Sequence, residues 1–143
     1  MAIQQFVNSL QLGNIKSIQR YVKGQHNDTY KVISSKGIFS VRGYKYKKPS
    51  QIYFELAVLN HLKGLKVPQI KKINGSQIKK QKGKLFIVYD YIPGEQRETF
   101  TQKQLEEIGN FIGEFHKKCR NFTWKKQRYQ FYNLTSPLEE FSL

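Results

Sequence analysis

A glutamate in the middle of an apolar helical stripe constrains this chain more than any other feature. The segment from about Gln51 to Lys63 has helical spacing, with Pro49-Ser50 before it and Gly64 after it. Ser50 is the candidate N-cap. Positions 52, 55, 59 and 62 share one face of this helix, and three of them are Ile52, Leu59 and Leu62. The fourth is Glu55. A carboxylate buried there without a partner costs several kcal/mol, so Glu55 requires a basic group on the surface the helix packs against. The strand pattern just before the helix supplies one. In Ile38-Phe39-Ser40-Val41-Arg42-Gly43-Tyr44, alternation sets Phe39 and Val41 on one side and Ser40 and Arg42 on the other. An inward Arg42 would meet Glu55. By periodicity alone, a purely structural ion pair and an arginine turned to solvent stay open.

The rest of the chain builds a frame around that pair. Ile3, Phe6, Val7 and Leu10 have helical spacing, and Gly13 stops the helix. Strands are expected over Ile15 to Val22, Thr29 to Ser34 and Ile38 to Tyr44. The turns between them are Gly24 to Asp28 and Ser35-Lys36-Gly37. After the helix bearing Glu55, Val67-Pro68 leads into a fourth strand expected near Gln69 to Ile73, and Asn74-Gly75 turns. Leu85 to Tyr91 is the most apolar strand, and Pro93-Gly94 closes it. Thr101 and Gln104 fit a capping box for a last helix, whose stripe is Leu105, Ile108, Phe111, Ile112 and Phe115. The order helix, three strands, helix, two strands, helix describes an α+β chain. Its five-stranded antiparallel sheet has a helix between strands 3 and 4, an N-terminal helix and a C-terminal helix.

Composition narrows the partners. The 143 residues carry 25 basic and 10 acidic side chains, a net charge of +15, which favours an acidic partner such as a nucleotide, a polyphosphate or a nucleic acid. The lysines at 66, 71, 72, 79, 80, 82 and 84 surround one hairpin and suit either a solvated surface or RNA. The single cysteine, Cys119, forbids an internal disulfide and suits a reducing cytoplasm, where the chain is expected to reside. No export signal and no membrane-spanning run is read in the sequence.

Several stretches together resemble a known family. They are Gly24-Gln25-His26-Asn27-Asp28-Thr29-Tyr30-Lys31-Val32, Phe39-Ser40-Val41-Arg42, Glu55-Leu56-Ala57-Val58-Leu59, Val67-Pro68, Ile87-Val88-Tyr89-Asp90-Tyr91-Ile92-Pro93-Gly94, and the run from Ile108 to His116. Their order and spacing resemble the aminoglycoside phosphotransferase and choline/homoserine kinase superfamily, which shares the protein-kinase-like fold. The resemblance implies an ATP-binding N-terminal lobe over residues 1–95, a linker helix over 96–119, and a tail over 120–143 leading toward a second lobe. It implies that the turn bearing Gly24 and Asn27 covers the nucleotide phosphates. Arg42 would contact those phosphates while paired to Glu55. Ser40 would line the adenine pocket, and Tyr89 would sit at its back. The Asp90 carbonyl and the Ile92 N–H would read the adenine edge, and His116 would brace a catalytic loop. The turn departs from the protein-kinase pattern, with one glycine where G-x-G-x-x-G has three.

A kinase of this kind needs one aspartate as catalytic base and another for Mg²⁺. The chain has two aspartates, Asp28 in the expected turn and Asp90 in the expected linker, and no His-x-Asp follows from His26, His61 or His116. The expectation is therefore a lobe that holds nucleotide as Mg-ATP in a complete family member and does not transfer phosphate by itself. A separate chain carrying the second lobe is one expected partner. A basic nucleic-acid-binding or adaptor module is the competing expectation.

Overall fold

The computed structural model of the chain describes residues 3–21, 27–45, 47–95 and 97–124. Three helices and five strands follow the order α1 (Ile3–Ser9), β1 (Ile15–Tyr21), β2 (Asn27–Ser34), β3 (Gly37–Tyr44), α2 (Pro49–His61), β4 (Lys79–Gln81), β5 (Lys84–Asp90) and α3 (Gln102–Cys119). The strands form one antiparallel sheet in the order β1-β2-β3-β5-β4, as the sequence pattern implied.

Alternation along the three central strands gives the sheet two different faces. Val32, Phe39, Val41, Phe86 and Val88 point to one side, where Phe6 and Val7 of α1 cover them. The Phe6 and Phe86 rings lie 4.4 Å apart. Gly43 is needed beneath Phe86, because a Cβ there would come 2.6 Å from its ring. Tyr44, Ile87 and Tyr89 point to the other side, against Ile52 and Leu56 of α2. The helix carrying Glu55 is thus clamped to the sheet by the apolar residues on either side of it.

The structure corrects the sequence reading in three places. The segment 69–73 makes isolated bridges, Ile70 to Tyr89 and Ile73 to Ser76, and the fourth strand is Lys79–Gln81. Three polar residues give no alternation to read. The usable signal was Lys82-Gly83, whose φ values of 46° and 78° make the two-residue hairpin loop into β5. Helix α2 starts at Pro49, so Lys48 is the N-cap, and its N–H donates to the Gln51 side chain at 2.9 Å. Asn27 and Asp28, assigned to a turn, are the first two residues of β2 and pair with Tyr44 and Gly43. The expected Asn74-Gly75 turn and the Thr101–Gln104 capping box are both present.

Candidate functional site

Glu55 finds four partners. Its carboxylate lies 3.2 Å from Arg42 Nη1 and 2.7 Å from Lys47 Nζ. The Tyr44 hydroxyl donates to it at 2.7 Å and the Tyr89 hydroxyl at 3.2 Å. The two tyrosine hydroxyls are themselves 2.8 Å apart. Strand register explains the convergence. Arg42 and Tyr44 are two apart on β3 and share a face, and Tyr89 on β5 stands opposite Ser40, on that same face. Alternation, which located Arg42, would also have located Tyr44; Lys47, past the end of β3, carried no such signal.

Burial opposes ionisation of Glu55, but Lys47, the Tyr44 hydroxyl and Arg42 outweigh it and hold the carboxyl below its ordinary range. Burial and the neighbouring carboxylate push both tyrosines up, so Tyr44 and Tyr89 act as neutral donors. Burial also opposes the charge on Arg42, and the acidic groups around it reverse that effect. The guanidinium lies 5.3 Å from the Tyr89 ring centre, and the Arg42 side chain keeps 34% of its surface exposed. It is therefore oriented by Glu55 and Tyr89 yet open to a further anion.

Beyond the end of β5 the same face opens into a groove of about 770 Å³ lined by Lys31, Ile38, Asp90, Tyr91 and residues 93–95. The Lys31 ammonium lies 4.4 Å over the Tyr91 ring, and the Tyr91 hydroxyl meets that of Tyr21 at 3.1 Å. The sequence reading missed these three residues, which alternation places on the face of Arg42. Ser40 is half-buried between Lys31 and Tyr89. Ile92, past the strand end, is 51% exposed. The Asp90 carboxylate pairs with Lys71 at 2.9 Å, while its N–H donates to the Gln69 carbonyl. The Asn27 Oδ1 is buried with no hydrogen-bond partner among the described residues. Gly24 lies outside the described residues.

Asp28 stands on the opposite face. It is 6% exposed and is held by Arg20 at 2.7 Å, Lys45 at 3.0 Å and Lys84 at 2.9 Å. Burial works against its charge, but the three cations lower its pKa to about 2. Phe122 and Trp124, from the aromatic tail, pack edge-on against Phe54 of α2, with ring centres 6.0 and 5.6 Å away. Tyr129, Phe131 and Tyr132 lie outside the described residues.

A five-stranded antiparallel sheet, a helix between its third and fourth strands, and an arginine–glutamate pair joining the two define a kinase-like phosphotransferase fold. The profile of the phosphotransferase enzyme family matches residues 17–132, and the chain belongs to that family. Among solved structures it is similar to a spectinomycin phosphotransferase, APH(9)-Ia, determined in complex with ADP and spectinomycin. That likeness has a TM-score of 0.61 and 18% identity, and covers 80% of this chain. The chain spans 37% of the length of that structure. No curated protein matches it. Among the described residues no helix is long and apolar enough to cross a membrane, and no three His, Cys, Asp or Glu side chains gather as a metal site.

Proposed function

We propose that this chain is the nucleotide-holding lobe of an ATP-dependent phosphotransferase acting on a small hydroxyl-bearing molecule. The observation that carries the reading is the Arg42–Glu55 pair at 3.2 Å, on the sheet face that runs into the groove behind β5. A guanidinium fixed by a carboxylate on one side and open on the other is suited to phosphate oxygens. In this reading Ser40 and Tyr89 line the base pocket, and the Asp90 carbonyl and Ile92 N–H meet the adenine edge. Asn27 brings an unpaired oxygen to the phosphate end, beside the turn containing Gly24. The bound nucleotide would supply the phosphoryl group; this chain's residues would bind and orient it.

Catalysis is assigned elsewhere in the same reading. Asp28 is enclosed by three cations on the far side of the sheet, and Asp90 is turned to Lys71. Neither aspartate faces the Arg42 guanidinium, so neither is placed to take a proton from an acceptor hydroxyl or to hold a metal at the phosphates.

Titration with Mg-ATP, followed by calorimetry, tests the proposal. Arg42→Ala is expected to weaken binding by about tenfold or more, the loss of one charge-assisted contact. Equal binding by the variant and the parent chain would sink it. No phosphoryl transfer to choline, homoserine or an aminoglycoside is expected from the chain by itself.

A further inference from the structure

Helix α3 is attached to the lobe by one end. His61 Nε2 lies 2.7 Å from the Lys118 carbonyl, and Lys118 Nζ donates to the Lys63 carbonyl. Among the described residues nothing covers the opposite side. No α3 residue is buried, and Leu105, Ile108 and Ile112 keep 51%, 40% and 46% of their surface exposed. At about 100° per residue these three share one stripe, while Phe111 and Phe115 turn toward the lobe and are half-buried. A contiguous apolar stripe on an otherwise charged helix marks an association surface.

We propose that this stripe pairs with the same stripe of a second copy of the chain, the two α3 helices running antiparallel about a two-fold axis at Ile112. Three observations choose this occupant. The first is charge. Glu106 and Lys117 lie on the same flank of the stripe, six positions before and five after Ile112. Antiparallel pairing sets Glu106 beside the second copy's Lys117, and the symmetry repeats the contact. Parallel pairing would set Glu106 against Glu106. The second is relief. Gly109 and Gly113 flank Ile112, and a Cβ at either would meet nothing within 4 Å, so the backbones can approach closely where the helices cross. The third is position. Because the lobe hangs from the C-terminal end of α3, antiparallel helices hold the two lobes at opposite ends. The inference is independent of nucleotide binding.

Sedimentation of the 143-residue chain over roughly 1–100 µM, the range of a modest helix-face interface, reads the prediction directly. A monomer–dimer equilibrium is expected. Ile112→Glu places two like charges on the axis and should leave only monomer, with an unchanged far-UV spectrum. Glu106→Lys and Lys117→Glu should each weaken the dimer about tenfold, and the two together should restore it. Leu105→Cys gives a geometric check. Residue 105 would stand opposite the second copy's Cys119, whereas within one helix the two positions are about 21 Å apart and cannot be bridged. Mild oxidation should therefore give a covalent dimer. A chain that stays monomeric, a dimer that survives Ile112→Glu, or a Leu105→Cys variant that fails to cross-link would each overturn the proposal. The first outcome would leave the stripe to the remainder of a phosphotransferase fold.

Discussion

The two faces of the sheet each carry one ionised carboxylate, and they use it differently. On the α1 side Asp28 draws all its cations from strands or strand ends: Arg20 on β1, Lys45 after β3 and Lys84 on β5. Its charge is enclosed and ties the sheet together. On the α2 side Glu55 comes from a helix and reaches Arg42 across an interface, leaving the guanidinium partly exposed. The rest of each face follows suit. The α1 side is a continuous apolar cluster, and the α2 side has a polar centre of two tyrosines, an arginine and a glutamate. A satisfied charge with no open side holds a fold; a satisfied charge that leaves its partner open makes a site.

The largest expected effect belongs to the apolar face. Phe86→Ala should cost about 3–5 kcal/mol in urea unfolding, because Phe86 is buried against Phe6 and its removal leaves a cavity. A loss below 1 kcal/mol would show that this face is not the structural one. Glu55→Ala should cost about 2–3 kcal/mol, since it strands Arg42 and two buried hydroxyls. It should also weaken nucleotide binding, which Asp28→Asn should leave within about twofold. Equal effects of the two variants on binding would erase the distinction between the faces.

Acid separates the carboxylates next. The Asp28 carboxyl titrates near 2 in the fold and near 3.8 when free, so its stabilising effect is present above about pH 4 and lost as pH falls toward 2. That difference is worth about 2 kcal/mol, and unfolding followed against pH should show it in the parent chain and not in Asp28→Asn. The smallest effect is expected at Asp90. It pairs with Lys71, and both side chains are more than 40% exposed. Lys71→Ala should change stability by less than about 0.5 kcal/mol.

What could be read in advance was set by period. Glu55 was legible because it interrupts an apolar stripe of period 3.6, and Arg42 because it falls on the second phase of a period-2 strand. Where the chain had no period, reading failed. Lys79–Gln81 pairs with β5 through backbone alone, so its side chains announce nothing. Asn27 and Asp28 look like turn residues by type, yet the register with Gly43 and Tyr44 draws them into β2. Tyr44 was passed over because a tyrosine reads as core, and its hydroxyl acquires meaning only when Glu55 arrives beside it.

By itself the sequence determined the order of elements, the two-faced character of the central strands and the requirement that Glu55 meet a cation. These are local or periodic properties, fixed by side-chain type and spacing. The tertiary structure decided which cations answered. Lys47 joined Arg42 at Glu55, and Arg20, Lys45 and Lys84 gathered at Asp28, because strand register and the seating of α2 bring residues distant in sequence within about 3 Å. It also decided that the α3 stripe would be left open. Amphipathicity declares that a face must be covered, and only packing shows whether anything on this lobe covers it.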